Sequence, residues 1–366
     1  MPTVTLPHAP HHIKPPTTTH ELEWADLAII DISKAHTTEG REQLTVEVRD
    51  ALATTGFFYV VNHGYTPEQT ARIFDIAEVP FQLVDQEEKE RYAGQMKQTG
   101  SYQGYKLRSY WHVDNGVRDQ IENYNMHRDV TRRTHPEPLR PFLPEIAAFA
   151  KHNHLNILHP ILRLIARGLE LPEDTFVKDH ELDSDDDTWV RFMKYYPRTE
   201  EDENRTKNVW LKGHTDFGSI TILWSQPVSA LQIRSPDGKW RFIKHIDNAL
   251  VINAGDCLEF LSGGYYKATI HRVVQPPPDQ RRYNRLGVFY FAVPDDRIQL
   301  SPLLESPVLQ RVGVAERFKD DNFAPVMAGD YRRGRVAAYG QSVLTKGKQV
   351  GTEEQVVAGV LVKHYL

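Results

Sequence analysis

Between Ser219 and Phe291 the chain alternates short runs rich in β-branched and aromatic residues with turn-forming pieces, and this rhythm restricts the fold more than any other feature. SITILW, ALQIRS, KWRFIK, ALVINA, CLEFLS, HRVV and RLGVFYF each have the length and composition of a strand. Ser235-Pro236-Asp237-Gly238 and Ala254-Gly255-Asp256 supply chain reversals between them. Strands this short and this closely spaced close into a barrel or jelly roll, a fold whose mouth commonly holds a ligand.

The N-terminal half reads differently. LAIIDI is an expected strand, REQLTVEVRDALATT an expected helix stopped at Gly56, and FFYVVNH a second strand. Thr66 and Pro67 open another helix as N-cap and first helical residue, with an interruption expected near Pro80. From Pro144 an amphipathic pattern places Ile146, Phe149, Leu155, Leu158, Leu162 and Ile165 on one stripe, and Pro160 inside it predicts a kink. These helices are expected to pack on one outer face of the barrel. Neither an internal repeat nor a clear linker divides the chain.

Within the strand-rich part, His214 and Asp216 in KGHTDFGSITILW, with His271 in ATIHRVV, offer two imidazoles and one carboxylate. That is the ligand set of a facial triad, which leaves coordination positions open on a non-haem Fe(II) centre. The tripeptide alone is weak, because H-x-D also occurs at His112/Asp114, His127/Asp129 and His245/Asp247. Context selects His214: residues two apart on extended backbone face the same side, a strand follows at once, and His271 returns several strands later. His245 sits where a turn is expected. The cluster His8, His11 and His12 lies among prolines and threonines and reads as part of a mobile lead-in.

Composition narrows the class. The formal net charge of −5 and the absence of a lysine or arginine run argue against nucleic acid as a partner. No apolar run is long enough to cross a bilayer, and no signal peptide precedes the first strand, so the expectation is a cytoplasmic protein without a membrane partner. Cys257 is the single cysteine, which excludes an intramolecular disulfide and agrees with a reducing compartment; it is expected in the core.

From about Leu27 to Tyr339 the chain resembles the Fe(II)/2-oxoglutarate-dependent dioxygenases of the isopenicillin N synthase-like superfamily. MKYYPR resembles that family's Asn-Tyr-Tyr-Pro segment, HTDFGSITIL its metal motif, ALQIRSPDGKW the hairpin after it, and NAGDCLEFLSGGYYKATIHRVV the run into the distal histidine. RLGVFYFAVP resembles its Arg-x-Ser segment, LAIIDIS and GFFYVVNHG its cap, and MAGDYRRGRVAAYG its last helix. The resemblance implies a mainly β fold with flanking helices, built as a double-stranded β-helix (jelly roll) core with a helical N-terminal cap region. Residues 1–26, polar and proline-rich, read as a flexible N-terminal tail; the resemblance places the cap region at 27–185 and the core carrying iron and 2-oxoglutarate at 186–300, followed by a C-terminal helical segment and extension at 301–366. That extension is open to reading as a lid, a dimer contact or a tail, and its apolar VVAGVLV argues against free exposure.

Carried over residue by residue, the resemblance implies His214, Asp216 and His271 as ligands of Fe(II). It implies Arg285 as the partner of the remote carboxylate of 2-oxoglutarate, with Tyr196 adding a phenolic hydrogen bond and Lys194 standing where the family has asparagine. Gly287 replaces the family's serine, so one carboxylate hydrogen bond is missing. The implied cosubstrates are 2-oxoglutarate and O2, with ascorbate as an accessory reductant; succinate is released as an organic substrate is oxidised. The presence of Asp216 favours hydroxylation, desaturation or cyclisation over halogenation. Phe192, Phe217 and Phe291, with Tyr102 and Tyr105 from the cap, are candidate pocket walls, although core packing would account for them equally. As pocket walls they imply an apolar small molecule without a large charge, of the kind found in natural-product metabolism. The protein is expected to be a monomer or homodimer. Two other readings stay open: an iron oxidase of the same fold that does not use 2-oxoglutarate, and a non-catalytic jelly roll that binds a small molecule.

Overall fold

The computed structural model describes residues 6–319, 324–340, 344–347 and 352–365. Two sheets form the core. The first contains β1 (Ile29–Asp31), β2 (Phe57–Val61), β3 (Gly104–Lys106), β4 (Ile121–His127), β5 (Trp189–Tyr195), β7 (Ile220–Trp224), β10 (Leu250–Ala254) and β12 (Arg285–Ala292), in the order β1-β2-β10-β7-β12-β5-β4-β3. The second contains β6 (Val209–His214), β8 (Leu231–Arg234), β9 (Trp240–Phe242), β11 (His271–Val274), β13 (Thr345–Lys346), β14 (Thr352–Val357) and β15 (Val360–Tyr365), in the order β9-β8-β11-β6-β15-β14-β13. Among these described strands β1 and β2 alone pair in parallel; from β5 to β12 the chain alternates between the two sheets except at the β8-β9 hairpin, the crossing that a jelly roll requires.

The helices of the cap cover the outer face of the first sheet. Helix α1 (Thr38–Thr54) ends where Gly56 adopts a φ of +68° and turns the chain into β2. Helix α2 (Pro67–Gln82) packs on β5 and β12. Its capping box is complete: Thr66 Oγ1 accepts from the Gln69 amide and Gln69 Oε1 accepts from the Thr66 amide. The expected interruption near Pro80 is absent: the proline lies within the last turn of the helix, and its carbonyl accepts from the Tyr105 hydroxyl at 3.0 Å. The amphipathic stretch from Pro144 forms α3 (Leu143–His152) and α4 (His159–Gly168), joined by a π-helical segment at Asn153–Leu158. Pro160 cannot donate into the preceding turn, and the widened turns fall just before it.

Two further expectations are corrected, and one left open is made specific. CLEFLS is not a strand: Asp256–Leu261 is the helix α5, whose first turn follows the bend at Gly255. Residues 6–26 are not a loose tail. The His12 amide donates to Asp75, its ring bonds Glu78, Thr18 and Thr19 bind Asp279, and the Ala25 amide donates to the Phe242 carbonyl. Polar and proline-rich composition there serves an extended strap with side-chain anchors. Finally, the C-terminal residues form the hairpin β14-β15, which joins the second sheet where Tyr365 pairs with Gly213. In VVAGVLV, Val357 and Val362 are buried while Val356 and Leu361 are exposed, the alternation of a half-covered strand pair. Among the described residues no helix is long and apolar enough to cross a membrane.

Candidate active site

His214 ends β6 and His271 opens β11, and the two residues are direct partners in the antiparallel ladder. Asp216 lies two residues past His214, on the connection into β7. This juxtaposition brings one ligand atom of each residue within 4.8 Å of the others. His214 Nε2 is 3.9 Å and His271 Nε2 3.7 Å from Asp216 Oδ1.

The surrounding bonds aim all three groups. His214 Nδ1 donates to the Lys212 carbonyl at 2.8 Å and His271 Nδ1 to the Thr269 carbonyl at 3.1 Å. A carbonyl only accepts, so each ring carries its proton on Nδ1 and turns the Nε2 lone pair inward. Asp216 Oδ2 accepts from Thr221 Oγ1 at 2.7 Å and Asn253 Nδ2 at 2.9 Å, which leaves Oδ1 for the shared point. Burial, then the neighbouring His271, hold the His214 imidazole well below its ordinary pKa, so it is neutral. Burial opposes ionisation of Asp216, but His271, His214 and the two hydrogen bonds overcome it and keep the carboxylate charged. Two imidazoles and one carboxylate, each held by a second group, suit a divalent metal of intermediate softness with open positions.

The triad opens into a cavity between the two sheets, lined also by Tyr102, Trp189, Arg191, Phe217, Arg285 and Phe291. Arg285 enters it from the start of β12. Its side chain is buried, and its Nε and Nη1 have no hydrogen-bond partner among the described residues. Tyr195, its direct partner on β5, lies under the guanidinium at 5.3 Å from Arg285 Cζ to the ring centroid. A buried guanidinium with free donors is costly unless a ligand satisfies it, so this end of the cavity is built for an anion. Farther along the same two strands the wall is aromatic: Trp189 and Phe291 stack at 4.7 Å and Phe289 and Phe291 at 5.5 Å, while Phe217, Trp189 and Tyr102 form a mutual cluster.

The structure separates the sequence candidates by strand parity. Tyr102, Phe217 and Phe291 line the cavity with His214, Asp216, His271 and Arg285. Tyr196 does not: its hydroxyl donates to Glu122 Oε2 at 3.0 Å on the other side of β5. Lys194 does not either, since its ammonium binds Glu78 Oε2 at 2.6 Å beneath α2. Phe192 shares that parity and packs into the helical layer. Tyr105 is buried against Tyr124, away from the cavity. The residues of β5 that do face the site are Trp189, Arg191, Met193 and Tyr195. An arginine in the middle of the otherwise apolar WVRFM was the available signal for Arg191. His245 binds Ser225 and Asp247, remote from the triad.

Helix α6 (Ala328–Ala338) closes the mouth. Arg335 donates to Asp256, to the Tyr331 hydroxyl at 2.7 Å and to the Thr215 carbonyl at 2.9 Å, bracing the connection that carries Asp216. Tyr339, just beyond the helix, stands 4.4 Å from the Trp111 ring and 6.2 Å from that of His214.

Comparison with known proteins matches two family models in succession. Residues 27–144 match the N-terminal region of non-haem dioxygenases in morphine synthesis, and residues 188–291 match the 2OG-Fe(II) oxygenase superfamily. A UPF0676 protein of Schizosaccharomyces pombe is 28% identical over 91% of this chain and 99% of its own length. A homoarginine-6-hydroxylase of Oryza sativa subsp. japonica is 28% identical over 68% of this chain and 77% of its own. In fold, the chain is similar to a full-length Neurospora crassa protein whose crystal structure was solved in complex with alpha-KG and 5-formyluracil; the TM-score is 0.72 and the identity 24%, over 87% of this chain and 100% of that one.

Proposed function

The chain belongs to the 2OG-Fe(II) oxygenase superfamily, and from that premise we propose that His214, Asp216 and His271 hold Fe(II) while Arg285 and Tyr195 hold the far carboxylate of 2-oxoglutarate. When bound, this iron activates O2 and couples decarboxylation of 2-oxoglutarate to succinate and CO2 with oxidation of a small organic molecule. The observation that carries the reading is the pairing, in one cavity, of an aimed His-Asp-His set with a buried guanidinium whose Nε and Nη1 lack partners among the described residues.

The protein's own residues do the rest. The two Nδ1 bonds fix the ring tautomers, and Thr221 with Asn253 stops Asp216 from turning away. Arg285 orients the keto acid by its remote end so that the keto and adjacent carboxylate groups point toward the triad. Trp189, Phe217 and Phe291 make the substrate end of the cavity apolar and exclude water. The free donors of Arg285 favour this reading over an iron oxidase that uses no keto acid, in which that charge would have no purpose. Succinate formation from 2-oxoglutarate by the Fe(II)-loaded protein in air tests it: the wild type should form succinate and His214→Ala should not. Equal succinate formation by both would overturn the reading.

A further inference from the structure

Charge in the cavity does not balance once the cosubstrate is accounted for. Among the described residues Asp216 is the only carboxylate on its wall, whereas three arginines reach it. Arg335 is neutralised by Asp256, and Arg285 is taken by the far carboxylate of the keto acid. Fe(II) is balanced by Asp216 and the near carboxylate. Arg191 remains. It is 8% exposed, and among the described residues its Nη2 has no hydrogen-bond partner. Its polar bond, from Nε to Asn125 Oδ1 at 2.6 Å, is to a neutral group. Its guanidinium lies over the rings of Tyr102 at 4.7 Å and Phe291 at 4.8 Å, which line the aromatic wall.

We propose that Arg191 anchors a carboxylate of the organic substrate, so that the substrate class is a flat, largely apolar acid. This rests on the function proposed above and changes the expectation of an uncharged apolar molecule: the rings receive the flat part, and the free Nη2 receives the acid. Aromatic faces stabilise a guanidinium but do not accept its hydrogen bonds in full, so a buried arginine held this way retains unused donor capacity. Tyr102, Phe291 and Trp189 also fix the guanidinium plane, so an incoming carboxylate meets a pre-oriented donor.

Anaerobic calorimetric titration of the Fe(II)- and 2-oxoglutarate-loaded protein with 2-naphthoate and its neutral twin 2-naphthamide tests the proposal. The acid should bind about tenfold or more tightly than the amide in the wild type, a ratio that needs no variant. In Arg191→Met the acid should lose that advantage while 2-oxoglutarate still binds with unchanged affinity. Equal binding of acid and amide by the wild type would overturn the proposal. So would loss of 2-oxoglutarate binding in Arg191→Met with retention in Arg285→Met, which would make Arg191 the cosubstrate's partner. If no keto acid binds to iron-loaded wild type, the underlying function fails instead, and the acid-to-amide ratio measured without cosubstrate still decides the role of Arg191.

Discussion

Phe289 occupies the space beside Gly287: a Cβ placed on Gly287 would lie 2.5 Å from Phe289 Cε2. Both residues stand on the same face of β12 as Arg285, so the Phe289 ring fills the space that a side chain at position 287 would need. We predict that Gly287→Ser, which restores the family's residue, weakens rather than strengthens 2-oxoglutarate binding, by severalfold, because the ring must be displaced toward the cosubstrate. Gly287→Ser combined with Phe289→Leu should recover it. Anaerobic binding constants for the three proteins check this, and tighter binding by the single variant would refute the packing argument.

Lys194 is a structural cation. Burial alone would raise the pKa of Glu78, but the bonds from His12 and Lys194 overcome it and bring the carboxyl down to about 2. A depressed carboxylate pKa contributes stability that is present above the unfolded value of about 4.5 and is lost as pH falls through about 2. At roughly 1.4 kcal/mol per unit the upper bound is about 3 kcal/mol. Lys194→Met should therefore lower stability at pH 6, flatten its fall between pH 4.5 and 2, and leave 2-oxoglutarate binding unchanged. Denaturant melts at a series of pH values are the check; a cosubstrate defect in this variant would return Lys194 to the site.

The C-terminal hairpin completes the sheet that carries His214. Tyr365 pairs with Gly213, Glu353 binds Lys212 at 2.6 Å, and Val357 lies where a side chain on Gly334 of α6 would be. A chain ending at Gly340 should leave β6 unpaired on that side, melt several degrees lower and bind Fe(II) less tightly, because the apolar cover that Val357 and Val362 provide is lost. Thermal melts with and without Fe(II) measure both effects. An unchanged melting temperature would show that the hairpin is dispensable for the sheet.

Much of this site is legible in the sequence, and the failures have one physical origin. His214 and Asp216 are readable because two-residue spacing on extended backbone settles which side they share. Arg285 is readable because it opens RLGVFYF, a run with the composition of a strand. Tyr196 and Lys194 are misplaced because matching MKYYPR to the Asn-Tyr-Tyr-Pro segment names residues but not faces. The ladder pairs Arg285 directly with Tyr195, and directly opposed residues share a face, so the odd-numbered residues of β5 line the cavity. That same register reveals Arg191 and sends Phe192 into the helical layer. The strap at residues 6–26 is illegible for a different reason: its order comes from Asp75, Glu78 and Asp279, far away in sequence.

The four H-x-D motifs provide an internal control. His245→Ala should retain iron, since His245 serves only Ser225 and Asp247 among the described residues, at a cost of about 1 kcal/mol in stability. His214→Ala should lose it. Metal content after dialysis distinguishes the two, and equal iron loss in both would contradict the choice of ligands.

The most direct test is an anaerobic titration of 2-oxoglutarate into the Fe(II)-loaded protein, following the weak visible charge-transfer band that a keto acid gives on chelating iron. The account predicts a saturable band in the wild type and in Tyr196→Phe, no band in Asp216→Ala, and at least about tenfold weaker binding in Arg285→Met. Bound iron without a band in the wild type, or undiminished affinity in Arg285→Met, would contradict it.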